Sequence, residues 1–163
     1  MKLKSALRRK LLICFGLLMS LTAAAEAQQT PDAGAGPSLT DQVVQQVLEP
    51  LQTGMQNQNI QQVMSVFDKK ELNSYSDLQG HLEAFLQVFD EVNLRYQLLQ
   101  VAAEKGRGSA IVDMQMDALP YEPTHIPERR SVQMRLQLKL GPKGWKIAGF
   151  TPSDFFNVDY RPR

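Results

Sequence analysis

The chain has 163 residues, 43% of them hydrophobic and 21% charged, with a formal net charge of +1. Its single cysteine, Cys14, excludes an internal disulfide and a metal site built on several thiolates. The positive balance sits in the first segment, so the charge has to be recounted once that segment is understood.

Lys2, Lys4, Arg8, Arg9 and Lys10 precede an apolar run over 11–21, and small residues follow, with Ala25-Glu26-Ala27 fitting a small-x-small cleavage pattern. That order is a secretory signal, and the apolar run is too short to span a bilayer as a helix. Residues 1–27 are therefore expected to be a signal peptide, cut after Ala25 or Ala27, which leaves no membrane anchor and no thiol. Ile13 before Cys14, with no apolar stretch upstream, argues against a lipid-attachment site. Removing five basic residues and Glu26 from the 18 and 17 leaves 13 basic and 16 acidic, a net of about −3. A nucleic acid or an anionic membrane, which favours a basic surface, thereby loses support, and no nucleic-acid partner is expected. The destination is the periplasm or the outside medium.

Residues 28–38, beginning Gln-Gln-Thr-Pro-Asp, read as a flexible linker. About 125 residues then remain, enough for one domain, 39–157, before a short tail, 158–163. From Thr40, a plausible N-cap, Val43, Val44, Val47, Leu48, Leu51 and Met55 recur at helical spacing, with Pro50 expected to kink or split the helix. Asn59 is placed to cap a short second helix carrying Ile60, Val63, Met64 and Phe67. A third helix is predicted from Ser76, with Gln79 completing a capping box and Leu78, Leu82, Phe85, Leu86 and Phe89 as its buried stripe.

After Asp90 the period becomes two. Val92, Leu94, Tyr96 and Leu98 alternate with Asn93, Arg95, Gln97 and Leu99; a turn at 104–108 leads to Ala110, Val112, Met114, Met116 and Ala118. Pairing about Gly106 sets Arg95 opposite Asp117, with Arg135 from the next strand completing a charge ladder that also takes in Asp113. The third strand alternates Val132, Met134, Leu136, Leu138 and Leu140 with polar residues. The turn Gly141-Pro142-Lys143-Gly144 then delivers Trp145, Ile147 and Gly149 as a fourth strand. The fold class is thus α+β, with three helices on an antiparallel sheet of about four strands.

This element order resembles the nuclear-transport-factor-2-like superfamily, which includes SnoaL-like and ketosteroid-isomerase-like domains. The resemblance runs from Leu39 to about Phe156 and rests on Gln58-Asn59-Ile60, standing where many members have Gly-Asp-hydrophobic, and on Gly144-Trp145-Lys146-Ile147 followed by Phe150. It implies a cone, in which a strongly bent sheet wraps the long first helix around a cavity open at one end, and frequent dimers built through the sheet. Enzymes of the superfamily place Asp, Tyr or His inside the cone; the first helix here presents only Val, Leu and Met inward, so no catalytic residue carries across.

His81, with Tyr75 or Asp154, is the weak candidate set for an isomerase or dehydratase, and a boundary histidine is the simpler reading. Met64, Phe85, Met114, Met116, Met134, Trp145 and Phe155 are expected to line the core or an apolar ligand site. The 120–130 connection, with three prolines, offers Tyr121, His125 and Ile126 for partner contacts. No cofactor or metal is implied, since the two histidines have no ligand spacing. Ser153 is placed to cap a terminal turn, and Phe155 and Phe156 to plug the cone or pack across a dimer. Three readings follow: an exported non-catalytic module binding an apolar small molecule or an envelope protein, an enzyme using His81, or a structural homodimer of the envelope.

Overall fold

A computed structural model of the chain describes residues 38–160. The signal peptide with Cys14, nearly all of the linker, and the last three residues of the tail lie outside the described residues.

Helix α1, Asp41–Gln56, begins where Thr40 Oγ1 accepts from the Val43 amide at 3.3 Å, and it buries Val44, Val47, Leu48, Leu51 and Met55. It runs through Pro50 without splitting. Proline removes one amide donor, to the Gln46 carbonyl; that turn lies at the surface, where water can satisfy the acceptor, and the apolar stripe on both sides keeps its single axis of burial. Helix α2, Ile60–Met64, is capped as predicted, Asn59 Oδ1 accepting from the Gln62 amide at 3.1 Å. Helix α3 spans Tyr75–Val88, with Ser74 at its N-cap and no side-chain capping bond. The predicted capping box at Ser76 is not formed; Gln79 donates instead to Glu83, one turn on, at 2.8 Å. The local side-chain pair won over the cap.

Four antiparallel strands follow in the order β1-β2-β3-β4: β1 Phe89–Glu104, β2 Arg107–Pro120, β3 Glu128–Gly141 and β4 Gly144–Thr151. The first hairpin turns at Lys105 and Gly106, whose φ of 73° is cheap only for glycine. Leu99 is an extra residue in β1: Leu98 pairs with Val112 and Gln100 with Ile111. Leu99 is exposed, and the bulge shifts the register, so Arg95 stands opposite Gln115, with Asp117 its diagonal neighbour. The charge ladder survives in altered form. Asp117 binds Arg95 and, at 2.6 Å, its register partner Arg129, whereas Arg135 pairs with Ile111 and takes no part.

The core lies between the helices and one face of the sheet. It joins the α1 stripe, Leu78, Leu82 and Phe85 of α3, and Val92, Leu94, Ala110, Val112, Met114, Met116, Met134, Leu136, Leu138 and Ile147 of the strands. Chain 66–68 fastens to the outer edge of β4, the Ile147 amide donating to the Val66 carbonyl and the Asp68 amide to the Ile147 carbonyl, each at 2.8 Å.

Candidate functional site

The alternation of β3 does not begin at Val132. Arg130, two residues earlier and in phase with it, faces the core opposite Met116 and is only 2% exposed. It is the only buried charged side chain among the described residues. Removing a guanidinium from water costs several kcal/mol unless its charge and donors are answered. Here Arg130 Nε donates to Glu128 Oε2 at 2.6 Å and Nη2 reaches the same oxygen, while Nη1 donates to the Phe155 carbonyl. The guanidinium carbon lies 4.9 Å from the ring centroid of Phe85 on α3 and 5.1 Å from that of Tyr160, so the cation is sandwiched in aromatic faces.

Phe155 and Tyr160 belong to residues 153–160, a series of turns that covers this end of the cone. Phe155 and Phe156 are buried and meet edge to face at 5.0 Å; Phe156 also meets Phe150, and Phe155 meets Tyr160. Of the two expectations, plug or dimer contact, the rings are buried within the chain, and Ser153 makes no capping bond among the described residues. The segment's own main-chain bonds are internal, from the Asn157 amide to the Asp154 carbonyl and from the Tyr160 amide to the Asn157 carbonyl. Among the described residues, one hydrogen bond ties it to the rest of the protein, the one from Arg130. Asn157 Oδ1 is buried without a hydrogen-bond partner. Such an orphan costs roughly 1–3 kcal/mol, so the segment fits its seat imperfectly.

The structure gives Met64, Phe85, Met114, Met116, Met134, Trp145 and Phe155 to one packed core. Four of the surface clefts are lined by described residues alone. Trp145 borders one of about 330 Å³ beside Val43, Val47 and Pro50, and Met64 borders one of about 260 Å³, but Phe85, Phe155 and the three strand methionines line none of the four. At the start of β3 the core is covered by the chain's own Phe155 and Phe156.

His81 is exposed on α3, Tyr75 hydroxyl donates to the Met64 carbonyl at 3.5 Å, and Asp154 lies in the C-terminal turns. No hydrogen bond or ion pair joins any two of them, so they form no proton-transfer set. No cluster of three or more metal-ligating side chains occurs among the described residues.

The 120–130 connection adjoins the mouth, because β3 starts at Glu128. Tyr121, His125 and Ile126 are exposed, Ile126 by 82%. His125 lies 3.5 Å from Glu122. Gln58 anchors the loop: at a φ of 53°, it donates to the carbonyls of Phe89 and Asp90 and accepts from the Tyr121 hydroxyl at 2.8 Å. Arg130, Glu128, Tyr160 and Gln58 were not legible as site residues from motifs; the phase of Arg130 with Val132 was the available signal.

No family model matches the chain, and no curated protein matches it. Solved structures do. A conserved protein from Planctomyces limnophilus DSM 3776 is 8% identical with a TM-score of 0.61, the match covering 67% of this chain and 91% of that one. A nuclear-transport-factor-2-like superfamily protein from Salmonella enterica serovar Typhimurium LT2 is 10% identical with a TM-score of 0.58, covering 67% and 86%. A type 2 hexachlorocyclohexane dehydrochlorinase is 10% identical with a TM-score of 0.53, covering 67% and 80%. Together with three helices on a four-stranded antiparallel sheet, these neighbours make the fold a nuclear-transport-factor-2-like α+β cone. At such identities they speak of fold alone.

Proposed function

We propose that this chain is an exported, non-catalytic binding module that engages a protein partner at the closed mouth of the cone and the adjoining 120–130 loop. One observation carries the reading: the only buried ionisable side chain among the described residues is an arginine. Acid–base catalysis inside a cone needs a group that gains and loses a proton near neutral pH, and a guanidinium keeps its proton throughout that range. The loop supplies exposed apolar and aromatic contacts, held in place by Gln58 rather than left to wander. Export rests on the composition of residues 1–27.

The test uses protein recovered from the producing cell without refolding. Amino-terminal sequencing of the extracytoplasmic fraction is expected to read from Gln28 or close to it, and native mass spectrometry to give the bare polypeptide mass. A photo-crosslinking residue at position 126 is expected to join a protein partner, and one at Gln133 on the polar sheet face is not. A constant non-protein mass removed by organic solvent, or an intact signal segment in the cytoplasm, overturns the reading.

A further inference from the structure

The segment that closes the cone is held the way a separate peptide is held. It adds no strand to the sheet, it shares no main-chain ladder with any element, and its hold consists of ring packing plus one side-chain bond to one of its carbonyls. β4 pairs with β3 only from Arg135 onward, so the edge of β3 over residues 128–134 is unpaired among the described residues, beside the seat of the segment. We infer that residues 153–160 are a built-in ligand occupying a peptide-binding mouth, and that the partner presents a segment of the same chemistry: two adjacent aromatic residues, the first giving its main-chain carbonyl to Arg130. This deepens the protein-partner reading and rests on it.

Three features define the occupant. Arg130 is already neutralised by Glu128, so the remaining donor wants a neutral acceptor such as a peptide carbonyl, and a carboxylate brought there would meet Glu128. The Phe155 ring is fully buried and packs edge to face on Phe156 and Tyr160, and Tyr160 in turn stacks on Arg130, so the seat takes an aromatic ring. Asn157, two residues after Phe155, buries an oxygen without a partner, so a competing segment does better with an apolar residue at that position. An extended segment also gains ladder bonds along the free edge of β3, which the built-in one does not make.

The probe is a fluorescein-labelled peptide of residues 153–160, with a second peptide carrying Asn157→Leu, titrated by anisotropy into the mature full-length chain. Phe155→Ala in the chain vacates the seat, and this variant is expected to bind either peptide about tenfold more tightly than wild type. The Asn157→Leu peptide is expected to bind about threefold or more tighter than its parent, and adding Arg130→Met to the Phe155→Ala chain to lose about tenfold. Equal weak binding by both chains, or binding indifferent to Arg130→Met, overturns the inference. Hydrogen exchange on the wild-type chain keeps the test independent of how that variant folds: amides of residues 155–160 are expected to exchange about a hundredfold faster than those of β3, and faster still with excess Asn157→Leu peptide. Protection equal to β3 makes the segment part of the core and overturns the inference. Peptide binding alongside a tightly held small molecule in native mass spectrometry leaves this seat standing and removes the protein-partner reading; a bare mass with no peptide binding does the reverse.

Discussion

The two ends of the cone are closed by different physics. At one end the β3–β4 turn, Trp145 and chain 66–68 lock together through main-chain bonds, the Ile147 amide and carbonyl both engaged, and Lys139 on β3 reaches Glu71 at 2.5 Å. At the other end no main-chain to main-chain bond among the described residues ties the closure to another element; rings hold it, with one buried arginine bonded to the Phe155 carbonyl. A main-chain ladder cannot be exchanged for another molecule without unfolding the edge it completes, whereas a side-chain seat can be vacated and refilled. On the inference drawn above, one end of the fold is built for permanence and the other for replacement.

Four substitutions test this contrast, the most costly first. Leu136→Ala, beneath both ends and about fully buried, is expected to cost about 2–5 kcal/mol in urea denaturation, because β3 is paired on both sides there and cannot collapse into the void. Gly108→Ala probes the permanent end. A Cβ there would lie 2.3 Å from Leu39 Cδ2 and 2.8 Å from the Ala102 carbonyl oxygen; the leucine can swing away and the main chain cannot, so about 1–3 kcal/mol is expected. Glu128→Gln probes the replaceable end by leaving Arg130 buried without its counter-charge. Glu128 is 30% exposed, so solvent screens part of the loss, and about 1–2 kcal/mol is expected. Arg130→Met, which removes the buried charge and keeps the bulk, is expected to cost less than Glu128→Gln. The reverse order would mean that the arginine is structural cement.

Much of the fold was legible because it depends on local and periodic signals. Thr40 and Asn59 cap as their side chains predict, and Met134, Leu136 and Leu138 bury in strict alternation. Apart from the capping box of α3, which lost to the local Gln79–Glu83 pair, the errors fall where a non-local fact decides. Leu99 fits the alternation of β1 until pairing with β2 extrudes it, and no residue type announces that bulge. Pro50 signals a break that the packed stripe of α1 overrides. The mouth was least legible. A charged residue after a proline-rich loop argues for exposure by its type, while its phase with Val132 argues for burial, and phase won because Phe85, Tyr160 and Glu128, distant or out of motif in sequence, converge to solvate it.

The smallest effect concerns the middle of the cone. Tyr96 on β1 is half-buried and its hydroxyl donates to the Gln45 carbonyl of α1 at 3.4 Å. Burial first, and the Glu49 carboxylate second, raise its pKa above the ordinary 10.0. The folded protein therefore holds this proton more tightly than the unfolded chain. The stabilisation is fully present below pH 10.0 and is lost as pH rises through the folded value. Tyr96→Phe removes the titrating group, so the difference between variant and wild-type melting temperatures is expected to move in favour of the variant as pH rises past 10.0. Parallel melting curves across that range would mean that Tyr96 is hydrated in the folded state and that its bond to the Gln45 carbonyl of α1 opens to solvent.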